Sequence, residues 1–279
     1  SEEFLPWSVG GIQANVYYLA RELSARGHAV TVFTQIPKGQ SSAPGENYRV
    51  EDLPELHVDN RLFTLFPAYF ARRTARALLK RINDYDIFHG QEICTSLPLT
   101  MATELLSRSC VTVNGAWPFC GQGFKFMRPD FSLCSGCTAA NRRKCLMISR
   151  EPFFLRPLHR SIYSRNYRFR LSQFKKLPRV VTVSNFFADL IRRHTRKKSR
   201  VIYNAIDENW FEEDNLTYGT GKILYAGRMI EWKGIDVLLE SLALVTEKRS
   251  CLLMIAGPRS PEYEKTAEKL DIKENVRFV

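Results

Sequence analysis

Apolar residues recur along the chain in two periods, one that fits helices and one that fits buried strands. In the first segment they fall on one helical face, at Ile12, Val16, Leu19 and Leu23. Gly27 follows where a helix commonly ends in a left-handed residue. Residues 29–33 then form a short apolar run typical of a buried strand. The chain is therefore predicted to open with a helix followed by a strand.

The same alternation continues to the end of the chain. Helices are predicted over residues 64–82, 96–106, 153–177, 185–194, 234–245 and 261–270. Strands are predicted over residues 86–89, 110–113, 180–183, 201–203, 223–226, 251–256 and 276–279. Ser184 is placed to cap the helix that follows it. Helices that alternate with strands predict an α/β fold built on parallel sheets.

Composition divides the chain further. An acidic, glycine-containing stretch at residues 208–221 is interpreted as a linker between domains over residues 1–207 and 222–279. A cysteine-rich insertion is expected at about residues 115–151 of the first domain. No apolar run is long enough to cross a bilayer, so we expect no transmembrane helix. We expect a cytoplasmic protein, attached at most peripherally to the inner face of the cytoplasmic membrane.

The net charge of +12 is concentrated in the middle of the chain. Residues 141–200 hold 18 Lys and Arg but only two acidic residues. Such a block suits an anionic partner such as nucleic acid, an anionic membrane or a phosphorylated substrate, and a solvated basic surface is the alternative. The helix predicted over residues 153–177 mixes aromatic residues with Arg and Lys, which favours an anionic membrane surface. Alternatively, the aromatic residues are core and the Arg side chains are solvated or hold an acceptor's phosphate.

Two places are candidate phosphate sites. Gly10 and Gly11 precede the first helix, whose N-terminus offers amide groups to an anion, although glycines there are also typical of a plain tight turn. Arg228 follows a predicted strand and Lys233 precedes the next helix. These two cations are interpreted as a diphosphate-binding site, with two solvated surface cations as the alternative.

Several short motifs occur in a definite order along the chain. They are GGI at residues 10–12, RGH at 26–28, VTV at 30–32, DIFH at 86–89, VVTVSN at 180–185, VIYNAID at 201–207, LYAGRMIEWKG at 224–234, LLMIAG at 252–257 and ENVRF at 274–278. Together they resemble glycosyltransferase family 4, the retaining GT-B enzymes. The resemblance implies two Rossmann-like domains with parallel sheets that face a cleft, the second of them incomplete here.

The resemblance also implies an activity and the residues that carry it. It implies a hexosyltransferase-type enzyme that moves sugar from a UDP- or GDP-sugar to a glycan, lipid-linked or small-molecule acceptor, with retention. By motif, Gly10 and Gly11 would contact the donor diphosphate from the first domain, and Arg228 and Lys233 from the second. Cations aimed at the departing diphosphate stabilise the transition state more than the ground state. No catalytic metal is expected, because no Asp-x-Asp motif lies near this site.

Two departures from the family pattern bear on activity. Asn114 stands where the family usually has a histidine that contacts the donor sugar, and His89 belongs to a neighbouring motif. Both are predicted to be catalytic, with a buried, hydrogen-bonded core histidine as the alternative for His89. The family's paired glutamates would lie beyond Val279, and a strand is expected before Phe4. We therefore expect a chain truncated at both ends that does not turn over by itself.

Four of the seven cysteines form a cluster, at Cys120, Cys134, Cys137 and Cys145. Four thiolates at such spacing are predicted to bind a structural zinc ion or an iron–sulfur cluster, with disulfides or unlinked thiols as alternatives. Two other functions remain open at this point. One is a nucleic-acid-binding protein with a structural zinc site, although no nucleic-acid motif of known spacing appears. The other is a GT-B nucleotide-sugar epimerase.

Overall fold

The computed structural model divides the chain into two compact units, Ser1–Trp210 and Phe211–Val279. It describes residues 1–8, 10–40, 47–120, 126–127, 132–138, 140–141, 156–207, 221–230, 233–257 and 259–279. The predicted linker lies almost entirely outside these residues. Within the described part of the chain, no helix is both long enough and apolar enough to span a membrane.

The first unit contains seven described helices and eight strands. The helices are α1 (Gly11–Ala25), α2 (Asn60–Leu65), α3 (Pro67–Leu79), α4 (Ile93–Ser96), α5 (Thr103–Ser107), α6 (Arg156–Lys176) and α7 (Asn185–Thr195). The strands are β1 (Thr31–Thr34), β2 (Arg49–Asp52), β3 (Phe88–Gly90), β4 (Ser109–Val113), β5 (Phe126–Met127), β6 (Ser132–Leu133), β7 (Val180–Thr182) and β8 (Arg200–Val201). A four-stranded parallel sheet has the order β3-β4-β7-β8, and β1 pairs with β2 in parallel. The short strands β5 and β6 form an antiparallel pair.

The core of the first unit lies against one face of the four-stranded sheet. Val111 and Val113 of β4 are fully buried there, packed with side chains from α5, α6 and α7. The helix residues that complete this cluster include Leu105, Phe174 and Ile191. Because side chains alternate along a strand, Thr112 must point to the other face of the sheet. That second face carries the polar residues of the candidate site.

The second unit repeats the same arrangement on a smaller scale. Its elements are β9 (Lys222–Ala226), α8 (Ile235–Thr246), β10 (Leu252–Ala256), α9 (Pro261–Lys269) and β11 (Val276–Phe278). The three strands form a parallel sheet in the order β11-β10-β9. Leu239, Leu253 and Ile255 are fully buried between this sheet and the helices. Both units therefore confirm the predicted α/β class with parallel sheets.

Two predicted helices prove to be interrupted. The helix predicted over residues 64–82 is two helices, because Pro67 begins α3 and the preceding Phe66 leaves the helical region (φ −127°, ψ 48°). The helix predicted over residues 96–106 is likewise replaced by α4, a 3₁₀ turn over Pro98–Thr100 and α5. Each proline removes a backbone N–H, but Leu97 before Pro98 keeps a helical conformation, and the chain leaves the helical region only at Ala102 (φ −141°, ψ 146°). Strand β2 was missed altogether, since only Val50 of its four residues is buried.

Two predicted helix ends are confirmed. Gly27 follows α1 with a left-handed φ of 89°, which lets its amide turn back to Ser24. Ser184 caps α7, since its side chain accepts a hydrogen bond of 3.3 Å from the Phe187 amide. The prediction for residues 153–177 is confirmed from Arg156 onward, and residues 153–155 lie outside the described residues.

The Ser184 cap gives a direct test of this local structure. We expect Ser184→Ala to destabilise the first unit by about 1 kcal/mol, because an amide of the first turn loses its partner. Ser172→Ala is the matched control, since the Ser172 hydroxyl caps no helix; it donates to the Phe169 carbonyl and accepts a 3.5 Å contact from the adjacent Gln173 side chain. Thermal unfolding followed by circular dichroism should show a lower Tm for Ser184→Ala alone. Equal Tm values for the two variants would contradict the assigned cap.

Candidate active site

The N-terminus of α1 is open to an anion. Gly10 is the N-cap residue, in an extended conformation (φ −176°, ψ 169°), and no side chain caps this helix. A Cβ added at Gly11 would meet nothing within 4 Å. The first turn therefore has no side-chain cap, the arrangement that binds phosphate in many proteins, although a Cβ added at Gly10 would lie 2.5 Å from Gln13 Oε1. The predicted contact of Gly10 and Gly11 with a diphosphate stays a prediction.

A polar ladder crosses strands β3 and β4 on the face away from the core. The strands are in register with His89 opposite Cys110, so His89 and Gln91 share a face with Thr112 and Asn114. Two side-chain hydrogen bonds join the strands, His89 Nε2 to Thr112 Oγ1 at 2.8 Å and Asn114 Nδ2 to Gln91 Oε1 at 2.9 Å. The predicted residues His89 and Asn114 therefore lie on one surface, at the carboxyl end of the sheet.

His89 is held as a neutral imidazole. The residue is exposed overall, yet the neighbouring protein removes part of the hydration of its ring. The resulting loss of hydration lowers the pKa of His89 to about 4. At neutral pH the ring therefore offers one donor and one acceptor, with no charge. This differs in part from the alternative of a core histidine, because the ring is hydrogen-bonded yet exposed.

Asn114 has one satisfied and one unsatisfied polar atom. Its Nδ2 donates to Gln91, while its buried Oδ1 has no hydrogen-bond partner. Buried acceptors are rarely left unpaired, so an unpaired one at the end of a parallel strand indicates a place for a ligand's donor. Gln91, 3% exposed, fixes the amide orientation. Sequence reasoning missed Gln91, although its spacing of two residues from His89 placed it on the same face.

The second unit positions its glycines and cations at the carboxyl end of β9. Gly227, with φ 155°, donates its amide to Ala256 O at 2.9 Å. A Cβ added at Gly257 would collide with the Gly227 carbonyl oxygen, so the two loops need glycine to approach this closely. Arg228 follows directly, and its carbonyl accepts a 3.0 Å hydrogen bond from the Tyr225 hydroxyl. The turn thereby presents the Arg228 side chain to solvent.

Lys233 lies at the start of α8, beside that turn. Its amide donates to Ile230 O at 2.8 Å, and the next residue, Gly234, is the N-cap with φ 72°. No side chain caps α8. Arg228 and Lys233 are both exposed, and neither forms an ion pair with a carboxylate among the described residues. Two cations and an open helix N-terminus thus share the carboxyl side of this sheet, where α/β sheets bind ligands.

Two glycosyltransferase family models together match nearly the whole chain. The model for Glycosyltransferase Family 4 matches residues 9–210, and the model for Glycosyl transferases group 1 matches residues 207–279. The chain belongs to glycosyltransferase family 4. No curated protein matches its sequence significantly.

Solved glycosyltransferases share the fold at low sequence identity. A glycosyltransferase from Rickettsia africae ESF-5 is 15% identical with a TM-score of 0.52, over 99% of this chain and 66% of that one. Anabaena Alr3699/HepE, solved with UDP and glucose, is 13% identical with a TM-score of 0.56, over 100% and 67%. Phytolacca americana UGT2, solved with UDP-2fluoro-glucose and pterostilbene, is 10% identical with a TM-score of 0.52, over 98% and 69%. The chain thus spans about two thirds of their lengths, and these neighbours confirm the predicted GT-B fold.

The VIYNAID motif lies away from the candidate phosphate positions and has a structural role that sequence reasoning missed. Asp207, the last residue of the VIYNAID motif, binds Arg21 of α1, with Nη1 to Oδ2 at 2.7 Å. The guanidinium also lies over the Tyr18 ring, at 5.2 Å from its centroid. This pair fixes the segment after β8 to the helix whose N-terminus forms the candidate phosphate site.

The predicted metal-binding cysteines are only partly described. Cys120, Cys134 and Cys137 are half-buried, and Cys145 lies outside the described residues. No disulfide joins two described cysteines, and no three potential ligands among the described residues are grouped as a metal site requires. The four-cysteine site therefore stays a prediction.

Helix α6 turns its described aromatic residues inward. Tyr163 and Phe174 are buried, and Phe169 packs on a core cluster around Phe63 and Leu97. The exposed positions on this helix include four basic residues, Arg165, Arg168, Lys175 and Lys176, together with Pro157, Leu158, Ser161 and Ser172. The packing therefore favours the alternative in which the aromatic residues are core and the cations face solvent or a phosphate.

The state of His89 can be measured directly. We expect the ring to stay neutral as pH falls from 7 to 5, since incomplete hydration opposes protonation. The unfolded chain takes up this proton from about pH 6.5 downward, so the stability due to neutral His89 is lost below that pH. Long-range ¹H–¹⁵N NMR follows the ring nitrogens, and His89→Gln identifies the signal. A titration midpoint above pH 6 would refute this description.

Proposed function

We propose that the complete protein transfers a hexose from a nucleoside-diphosphate sugar to a glycan, lipid-linked or small-molecule acceptor, with retention of anomeric configuration. The observation that carries the proposal is the pair of exposed cations, Arg228 and Lys233, at the carboxyl side of the second sheet. Family membership supports it, as do two fold neighbours solved with UDP or a UDP-sugar. UDP- or GDP-sugars are therefore the proposed donors.

The chemistry follows from where charge develops. When the bond between the anomeric carbon and the diphosphate oxygen breaks, the electron pair stays on the diphosphate. Arg228 and Lys233 then face the increased negative charge, which lowers the energy of the transition state more than that of the bound donor. These cations supply that stabilisation without a catalytic metal ion. Within the first unit, the uncapped N-terminus of α1 at Gly10 and Gly11 is a separate candidate phosphate site.

Asn114 and His89 are proposed to contact the sugar. The unpaired Oδ1 of Asn114 accepts a hydrogen bond, and its only common partner on a sugar is a hydroxyl. Neutral His89 carries no charge that would repel the cation-like sugar of the transition state. In this proposal, Gln91 is a positioning residue, since it acts on the substrate only through the Asn114 amide.

The proposed diphosphate-binding site is tested by replacing both Arg228 and Lys233. We expect Arg228→Ala/Lys233→Ala in the complete protein to bind UDP or GDP at least a hundredfold more weakly, since charge-assisted hydrogen bonds contribute roughly 1.5–3 kcal/mol each. Lys248→Ala/Arg249→Ala is the matched control, because it removes the same charges beyond the other end of α8. Isothermal titration calorimetry with UDP, GDP and a DNA oligomer measures the affinities.

Three outcomes are informative. Weaker nucleotide binding in Arg228→Ala/Lys233→Ala alone supports the proposed diphosphate-binding site. Equal affinities in both variants and the parent would contradict the assignment of Arg228 and Lys233. Tight binding of the DNA oligomer, with none of UDP or GDP, would instead support the nucleic-acid-binding alternative.

We further propose that α6 attaches the enzyme to anionic membranes through charge. Its described aromatic side chains are packed inside, so the support comes from exposed Arg165, Arg168, Lys175 and Lys176. Each cation near an anionic surface contributes only about 1 kcal/mol, so several must act together. At 0.1 M ionic strength, salt largely screens charge interactions over distances longer than about 10 Å, so this attachment should weaken as salt rises.

Vesicle co-sedimentation tests this attachment. We expect binding to vesicles with anionic lipid, none to neutral vesicles, and a steep loss in high salt. Replacing the four α6 cations by Gln should abolish binding. The control replaces four exposed cations of the second unit instead, at Lys248, Arg249, Lys265 and Lys269. Equal binding to neutral vesicles, or no effect of the α6 substitutions, would leave the basic face as an acceptor site or as plain surface.

A further inference from the structure

The junction between helices α2 and α3 carries large apolar side chains at the surface. Leu62, Phe66 and Tyr69 are 48%, 53% and 62% exposed. The Phe66 amide donates to Leu62 O at 2.9 Å, and the Tyr69 amide donates to Phe66 O at 3.1 Å, so the three residues lie on adjacent turns of the chain. We call these three side chains the elbow stripe.

The other side of this junction is anchored in the core of the first unit. Phe63 and Phe70 stack with ring centroids 6.4 Å apart, and Phe169 of α6 packs in the same cluster. Asn166 of α6 is buried, and its side chain donates to Leu65 O at 3.2 Å. Because these neighbouring side chains fill the interior, the elbow stripe is held at the surface.

The elbow stripe lies on the same side of the first unit as the candidate active site. Phe63 and Ala71 pack with Cys94 and Leu97, and the last two follow the carboxyl end of β3. Both α3 and α6 end shortly before the amino end of a strand, so their starts lie toward the carboxyl edge of the sheet. The polar ladder of β3 and β4 ends at that edge.

Cations, without acidic residues, accompany the elbow stripe on its helices. Helices α2, α3 and α6 hold one, three and seven Arg and Lys residues and no Asp or Glu. Arg72 and Arg76 are exposed on the turns of α3 beyond Tyr69, while Arg165 and Arg168 are exposed on α6, which packs against α2. Exposed aromatic and aliphatic side chains beside cations fit the boundary between anionic lipid and water.

We propose that the elbow stripe enters the surface of an anionic phospholipid membrane and turns the carboxyl edge of the first sheet toward it. This inference rests on the proposed attachment of α6 and adds the side chains that enter the lipid. A single myristoyl chain gives only marginal membrane binding, so three partly exposed side chains are too few to hold the protein on neutral lipid. Charge therefore brings this face to the membrane, and the elbow stripe fixes its orientation. A lipid-linked acceptor would then reach the candidate site from the membrane side.

Replacing two residues of the elbow stripe tests insertion without changing any charge. We expect Phe66→Ser/Tyr69→Ser in the complete protein to bind anionic vesicles about 10–100-fold more weakly, since less apolar area leaves water on binding. Ile87→Ser/Leu244→Ser is the matched control, because Ile87 and Leu244 are 68% and 64% exposed and lie outside α2, α3 and α6. Co-sedimentation measures the binding, and circular dichroism checks that each variant is folded.

Tryptophan fluorescence reports insertion directly. Emission of Phe66→Trp should shift to the blue on anionic vesicles and be quenched by brominated lipid, beyond any change in the parent. Ile87→Trp should behave as the parent does, since Ile87 precedes the amino end of β3, at the edge away from the elbow stripe. Equal quenching of the two variants would contradict the proposed orientation.

The remaining outcomes separate the alternatives. Equal vesicle binding by the parent and Phe66→Ser/Tyr69→Ser would overturn insertion and leave the attachment by charge intact. A dimer in analytical ultracentrifugation that this variant alone loses would assign the elbow stripe to a second copy of the chain instead. No vesicle binding by the parent at low salt would overturn both insertion and attachment. UDP affinity, measured by calorimetry, should be equal in the parent and these variants, which distinguishes all these results from failure of the proposed sugar transfer.

Discussion

The alternation of side chains along β4 is the constraint on which the first unit depends. Val111 and Val113 point into a core built by α5, α6 and α7, and this burial fixes the register of the strand. Thr112 and Asn114 must then lie on the opposite face, in reach of β3. A shift of one residue would place the polar pair in the core and the valines on the site. The packing that stabilises the fold is therefore also what positions the candidate active site.

The two units offer different chemistry at the carboxyl ends of their sheets. The second unit offers exposed charge, since Arg228 and Lys233 lie on a glycine-bounded turn and are exposed. The first unit offers fixed, neutral groups, since the Asn114 amide is held by buried Gln91. Charge suits a diphosphate, while oriented neutral donors and acceptors suit a sugar.

The sequence predicted the helices and strands well where buried residues recur at a regular spacing. It predicted them less well where contacts between distant segments determine the structure. Helix α7 followed from its apolar face and its Ser184 cap, both local properties. Pro67 in the sequence indicated a helix boundary, but the apolar pattern on both sides of it favoured one continuous helix. Strand β2 depends on pairing with β1, which no local pattern encodes. The spacing of Gln91 from His89 placed both on one face, but its hydrogen bond to Asn114 joins two strands and is not encoded by any local pattern.

Substitution of an amide for the usual family histidine changes how this site responds to acidity. The Asn114 amide has no proton to gain or lose in the physiological range, and His89 beside it stays neutral there. Neither side chain therefore changes charge when the surrounding pH drifts between neutral and mildly acidic. Hydrogen bonding of a sugar to this face would then change little over this pH range. A pH–rate profile of the enzyme would report on the phosphate groups or the acceptor rather than on these two residues.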